Sequence, residues 1–340
     1  MNHNILFKTA SIVSITVMLL ITAMAGTSFA EEKTYNWKLG QPYPKDTIYY
    51  QLTEDLIQQI QAESNGRIKI THYPGSLLGD YTAQAEAVAN GSQEMVLTWP
   101  TTNVAGPGAD LSLMGYLFHD WDDYTKGMTG WMFDLHKEMF KNIDWQLLGT
   151  LPDGFLVVVS KKEFNPMPGP KDIKIRLMPT ETVQERFKAL GFRTLSLPMS
   201  EFVTALNLGA VDAGGNAGWG EAWYNYKESI EYVYNSRDMT ATMFLIINKT
   251  LFSSLSEADQ KMLSKIGLEW SKNNYSRIMN ENNKFREELI KYGTKIVDYS
   301  DDEWKANRKV SLEKEWPLME KRIGKEVMDI VRKNTHINNE

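Results

Sequence analysis

Segments 35–39 and 67–71 alternate apolar and polar residues with period two and 94–98 reads as a third strand, whereas the stretches between them carry apolar residues at helical spacing. In 46–64 the face is Leu52, Leu56, Ile57 and Ile60, with Asp46 as the expected cap and Gly66 as the stop. A second helix is expected over 81–89, ending at Asn90-Gly91. A strand–helix–strand–helix–strand order at these spacings leaves little choice. Each helix is a crossover between parallel strands, and such crossovers are right-handed. The chain therefore begins as an α/β unit whose sheet must be covered on both faces.

The same alternation resumes downstream. Aromatic residues Tyr116, Phe118, Trp121, Tyr124, Trp131 and Phe133 fall on short helices expected between 110 and 141, mostly as core. Two short strands are expected between 145 and 160, the second being the apolar run 155–159. The cluster Asn165-Pro166-Met167-Pro168-Gly169-Pro170 is the strongest turn signal in the chain. Beyond it a second α/β run is predicted: strand 173–177, helix 180–190, strand 193–196, helix 200–208, strand 210–212 and helix 219–229. A strand at 242–248 then leads to two long helices. Ser256 and Ser300 each stand three residues before an acidic residue, the spacing of a helix start, and the first helix is expected over 256–291. At 1.5 Å per residue it would be about 54 Å long, enough to run the length of two lobes. The boundary between two domains is placed near residue 153.

Residues 1–30 are set apart from the fold. Lys8 precedes an apolar run over 10–26, and Ser28-Phe29-Ala30 ends it with small residues at the positions a signal peptidase reads. A cleaved export signal is the reading, with a retained membrane anchor as the alternative, since about 18 apolar residues can just span a bilayer. The chain has no cysteine, which excludes disulfides, thiolate metal sites and thiol nucleophiles. At 340 residues it can bury a large core without disulfides even in an oxidising compartment. With 37 basic and 43 acidic residues, the formal charge of −6 argues against a nucleic-acid partner.

Catalytic chemistry finds little support. The five histidines are scattered, no pair has metal-ligand spacing, and there is no nucleophile elbow, Walker A loop or dinucleotide fingerprint. No catalytic residue, metal or cofactor is expected. Two places stand out instead. Arg176 leaves an otherwise apolar strand just before Pro179, either as a ligand-binding guanidinium or as a solvated strand-end charge. Asn216 follows the Gly214-Gly215 pair, beyond the strand expected at 210–212 and ahead of a helix. Strand carboxyl ends in open α/β sheets are where ligands bind.

From these residues the chain resembles a known family, the periplasmic solute-binding subunit of tripartite ATP-independent periplasmic (TRAP) transporters of the dicarboxylate-binding-protein type. The resemblance rests on 73–80 (YPGSLLGD), on Lys174-Ile175-Arg176 followed by Ala189-Leu190-Gly191, on 197–206 (LPMSEFVTAL), and on Gly209-Ala210-Val211-Asp212 leading to Asn216. It implies a two-lobed periplasmic solute-binding protein fold of the α/β class, with crossing strands and a long helix spanning both lobes. Lobe I is expected over 31–153 plus about 242–281, and lobe II over 154–241 plus about 282–333. It also implies capture of a small organic acid between the lobes, with Arg176 pairing with the ligand carboxylate, Asn216 orienting it and Met199 lining the pocket. Gln41, at the end of the first strand, joins the candidate ligand-binding residues. Delivery to TRAP membrane permease subunits from the periplasm would follow, the receptor itself being a monomer. An exported α/β enzyme acting on a carboxylate and a soluble ligand-sensing subunit of a signalling receptor are the other readings.

Departures from the family pattern bear on the ligand. The second arginine that relatives commonly carry two residues after the glycine matching Gly154 is Leu156 here. The Gly-Gln-Glu stretch before the asparagine is Ala213-Gly214-Gly215, and Trp99-Pro100 stands where several relatives have a polar residue. Trp219 is a candidate for the pocket wall or for lobe packing. Together these suggest a monocarboxylate with an apolar or aromatic part rather than a dicarboxylate held by two arginines.

Overall fold

The computed structural model describes residues 33–166, 169–178 and 180–335. The export signal expected over 1–30 lies outside the described residues, as do Met167, Pro168 and Pro179.

Two sheets carry the fold. The first holds β1 (Tyr35–Gly40), β2 (Ile68–Tyr73), β3 (Met95–Thr98), β4 (Trp145–Phe155) and β10 (Thr240–Asn248) in the order β2-β1-β3-β10-β4. The second holds β5 (Val157–Ser160), β6 (Lys174–Leu177), β7 (Arg193–Ser196), β8 (Ala213–Ala217), β9 (Tyr232–Asn235) and β11 (Lys295–Asp298) in the order β11-β9-β5-β8-β6-β7. As expected, β1 is parallel to β2 and β3. The first sheet is nonetheless mixed, because β10 enters antiparallel between β3 and β4.

Both faces of each sheet are buried. On β3 and β10, Val96, Phe244 and Ile246 pack into one core, while Met95, Leu97, Leu245 and Ile247 pack into another on the opposite face. The second sheet divides likewise: Val158, Ile175 and Leu177 face one cluster, Val157 and Val159 the other. Period-two side-chain alternation sends successive residues to opposite faces, so an all-apolar strand is what a doubly covered sheet requires.

The chain passes between the sheets twice. β4 ends at Phe155 and β5 starts at Val157, so Leu156 alone separates the two sheets on that strand. The return runs from β9 through 236–239 into β10, and the Leu156 N–H donates to the Met239 carbonyl at 2.9 Å, tying the two crossings together. The helix Glu257–Tyr292 is the third link, 36 residues capped by the Ser256 side chain. It contains Gly267, and the glycine has a reason. A Cβ there would meet the Leu148 carbonyl oxygen at 2.4 Å, and one on Gly149 would meet the Gly267 carbonyl oxygen at 2.5 Å. The helix thus lies directly on β4. Its second half reaches the other lobe, where Leu289 is buried in a core with Val157 and Phe285 packs against it.

Several expectations need correction. The strand placed at 210–212 is β8, three residues later, so the glycine pair and Asn216 lie within the strand rather than beyond it. Glycine is required there because a Cβ on Gly214 would meet Phe202 Cζ at 2.2 Å and one on Gly215 would meet Leu177 Cδ2 at 2.7 Å. The first strand of the 145–160 pair is eleven residues long. The helix expected over 219–229 is a short turn, Trp219–Glu221, continued by a π-turn, Ala222–Tyr226. The first helix is capped by Thr47, whose hydroxyl accepts the Tyr50 N–H, and not by Asp46. Strands β9 and β11 and the separate terminal helices Trp316–Ile323 and Lys325–Asn334 were not anticipated. Trp316, Met319, Met328 and Val331 pack into the first sheet's core, although 282–333 had been assigned to the second lobe.

Candidate functional site

Arg176 is carried on β6, the strand between β7 and β8. It is 3% exposed, so it is not a solvated strand-end charge. Its Nε–H donates to the Leu197 carbonyl at 2.8 Å, and Nη1 lies 3.8 Å from Met199 Sδ. Met199, half exposed, also accepts the Tyr226 hydroxyl at 2.8 Å. Burial pulls the guanidinium below its usual pKa, opposed by Tyr226 and by the negative charge of Glu221. Among the described residues no carboxylate lies within ion-pairing distance of Arg176. A buried arginine without a counter-ion is costly, and an incoming anion removes that cost.

Asn216 sits on the adjacent strand, buried, with φ at +65°. Left-handed backbone in a non-glycine residue is strained, and such strain collects at ligand sites. Its Nδ2 is 3.8 Å from Met239 Sδ, and its Oδ1 meets no donor.

On the facing lobe the carboxyl ends of β1, β3 and β4 converge on Asp153. The Trp99 indole N–H donates to its Oδ2 at 2.5 Å and the Tyr43 hydroxyl to its Oδ1 at 3.0 Å. Tyr43 stacks on Tyr49 with centroids 3.9 Å apart, and Trp99 stands edge-on to Tyr43 and Tyr81. Burial pushes the Asp153 carboxyl up to about 7, against the hydrogen bonds from Trp99, Tyr43 and Tyr49 that pull it down. Glu221 of the other lobe adds to the upward push on both Asp153 and Tyr43. The two half-sites therefore sense the same charge. Burial raises Glu221 itself, while the Gly218 N–H bond and Arg176 hold it down.

The remaining expected site residues are distributed unevenly. Gln41 is fully buried at the end of β1, its Oε1 accepting the Thr53 hydroxyl at 3.2 Å while its Nε2 has no acceptor. Leu156 belongs to the second lobe's core and to the crossing point. Trp219, 5% exposed, is packed with Phe202, Leu206 and Tyr226. The structure thus brings together Arg176, Met199 and Asn216 on one side and Trp99 with Gln41 nearby on the other. Asp153, Tyr43, Tyr49, Tyr226 and Glu221 were missed. The one signal that could have pointed to Asp153 is its place in Pro152-Asp153-Gly154, at the boundary between the lobes.

Two α/β lobes joined by paired crossing strands and a shared long helix, with polar groups gathered at strand ends, define the two-lobed class of solute-binding proteins. Residues 39–319 match the family described as bacterial extracellular solute-binding protein, family 7, and the chain belongs to that family, the solute receptors of TRAP transporters. Its members bind solutes and are not enzymes. It is similar to the 2,3-diketo-L-gulonate-binding periplasmic protein YiaO of Escherichia coli, at 22% identity over 74% of this chain and 77% of that one. It is also similar to the sialic acid-binding periplasmic protein SiaP of Vibrio cholerae, at 23% over 68% and 74%. Among solved structures, a TRAP solute-binding protein from Desulfovibrio salexigens with bound orotic acid superposes with a TM-score of 0.79, at 19% identity, over 89% of this chain and 99% of that one.

Proposed function

We propose that this protein captures a small organic acid between its lobes in the periplasm and delivers it to a TRAP permease. The observation that carries the reading is Arg176, buried at 3% exposure with no anionic partner among the described residues. A planar guanidinium offers a carboxylate two parallel hydrogen bonds, so the ligand's acid group is placed on Arg176. Asn216, one strand over, is placed beside it as the orienting amide. Solved relatives were determined with orotic acid, L-gulonate and succinate, each an organic acid. Leu156 supplies no second cation, and Trp99 gives the facing wall flat apolar surface, which favours a ligand with one carboxylate and an apolar or aromatic body.

Export would be directed by residues 1–30 and the working receptor would be a monomer. Lobe I comprises 31–153 with 242–281, and lobe II begins at 154, the hinge lying at Leu156 and 236–239. Closure about that hinge makes contacts that the open state lacks, so ligand shifts the population towards the closed form. Small-angle scattering with and without a bound acid tests the reading. A smaller radius of gyration with ligand is expected, and an unchanged profile at saturation rejects closure.

A further inference from the structure

Two ionisable groups are buried on opposite sides of the cleft, and neither has a counter-ion. Arg176 is 3% exposed and Asp153 is 8% exposed. Among the described residues, no opposite charge comes within 4.0 Å of either. Asp153 accepts from Tyr43 on one oxygen and from Trp99 on the other, with Tyr49 as a third hydroxyl partner, and all of these are neutral donors that leave acceptor capacity on the carboxylate. Aromatic rings gather around it: Tyr43 stacked on Tyr49, Trp99 edge-on to Tyr43 at 5.8 Å and to Tyr81 at 5.9 Å. Ring faces beside an unpaired carboxylate are the chemistry that holds an organic cation. The Asn216 Oδ1, buried without a donor, is a further acceptor in the cleft.

Charge arithmetic points the same way. Arg176 contributes one positive charge, whereas Asp153 and Glu221 together can contribute two negative ones. A dicarboxylate would set its second anion against Asp153 and Glu221. A monocarboxylate with a purely apolar body would leave Asp153 either held protonated or ionised at the cost attached to a buried lone charge, and in neither case would it use the carboxylate.

We infer that the ligand is a zwitterion, with its carboxylate on Arg176 and a positively charged nitrogen, protonated or quaternary, against Asp153 among the rings of Tyr43, Tyr49 and Trp99. The inference rests on the organic-acid reading of Arg176 and names the body of that acid. Asp153 then determines specificity: it selects acids that carry a cation over isosteres that do not. The other titratable groups facing Asp153 are Tyr43, Tyr49, Tyr124 and, as a charge, Glu221, with Glu281 of the long helix acting on Tyr49. None of these supplies a cation, so a cation against Asp153 can come only from the ligand.

Matched pairs of probes test this by isothermal titration and thermal shift: glycine betaine against tert-butylacetate, proline against cyclopentanecarboxylate, phenylalanine against hydrocinnamate, with succinate as a separate arm. In at least one pair the zwitterion should bind tenfold or more tighter, and Asp153→Asn should erase most of that margin while leaving the protein folded by circular dichroism. Because Asp153 titrates near 7 in the empty protein, zwitterion binding at about pH 6 should release a proton, seen as a dependence of the measured heat on the buffer's ionisation enthalpy. Equal or tighter binding by the uncharged-body isosteres overturns the inference and leaves the Arg176 reading standing. Binding of succinate alone overturns the single-carboxylate reading as well, and no binding by any zwitterion at millimolar concentration also overturns the inference.

Discussion

Arg186 and Glu315 lie 129 residues apart and meet at 2.7 Å with no solvent exposure on either side chain. Asp238 closes on the other guanidinium nitrogen at 3.1 Å, the Gly115 N–H and the Ser311 hydroxyl donate to Glu315, and the Trp316 indole donates to the Gly115 carbonyl. One buried network therefore joins the 113–116 loop, the helix Glu181–Ala189, the crossing segment 236–239 and the C-terminal helices.

Removing one member of that network should unbalance the rest. Glu315→Ala leaves Arg186 with Asp238 alone and should destabilise the fold by about 3–5 kcal/mol. The double variant Arg186→Met with Glu315→Leu should lose less than the sum of the two single losses, because partners in one network are not additive. Urea denaturation of the four proteins in the cycle checks this, and strict additivity would show that the two charges act independently.

Arg176→Ala should fold and fail to bind. Stranding a desolvated ligand carboxylate costs about 3–5 kcal/mol, or roughly two to four decades in affinity. Arg176→Lys should recover only part, since an ammonium cannot make the planar double contact. Titration calorimetry with any acid that binds the parent protein gives the answer; near-parental affinity in the alanine variant rejects the assignment.

The contribution of Asp153 to the stability of the ligand-free protein should fall as pH rises towards about 7. Its folded pKa of about 7 lies above the usual carboxylate value, so the native state holds a proton that the unfolded state has lost. The stabilisation is complete below the unfolded pKa and is lost as pH rises through the folded one, by about 4 kcal/mol in all. Asp153→Asn has no such loss. Its stability relative to the parent should therefore improve by about 2–3 kcal/mol between pH 5 and pH 8, measured as the shift in urea midpoint. An unchanged difference would place the carboxyl in an ordinary environment.

His136 should act in the opposite direction. It is fully buried, its Nδ1–H donating to the Met132 carbonyl at 2.8 Å, and burial pulls its pKa down to about 4. The unfolded state takes up the proton first as pH falls below the ordinary imidazole value. Stability is thus lost from about pH 6.5 down to about pH 4, by about 3 kcal/mol. His136→Gln should remove that acid loss and leave the opposing slope of Asp153 visible. Over this range the slopes of His136 and Asp153 oppose each other, so the parent protein shows little of either and the single variants are needed to separate them.

Local pattern was enough for much of the fold. β1, β2 and the helices that follow them were legible because period two and period 3.6 are written in successive residues, β3 because it is a short apolar run, and Gly66 and Gly91 mark where each helix stops. The long helix was legible from Ser256 and the absence of proline. Its contact with β4 was not, since the reason for Gly267 is the carbonyl of Leu148 far away in sequence. β8 lies three residues later than expected for the same cause: nothing near the glycines in sequence shows that Phe202 and Leu177 press on them.

For the site, the sequence alone determined which residue types were available, Arg176 in an apolar strand and Asn216 after two glycines, because a lone guanidinium in such a strand is a local anomaly. The tertiary structure alone decided that Arg176 is buried with no anion against it among the described residues, and that Tyr43, Trp99 and Asp153, spread over 110 residues, share one cluster of hydrogen bonds. Burial and through-space charge depend on which strands end side by side. A residue's neighbours in the chain do not record that.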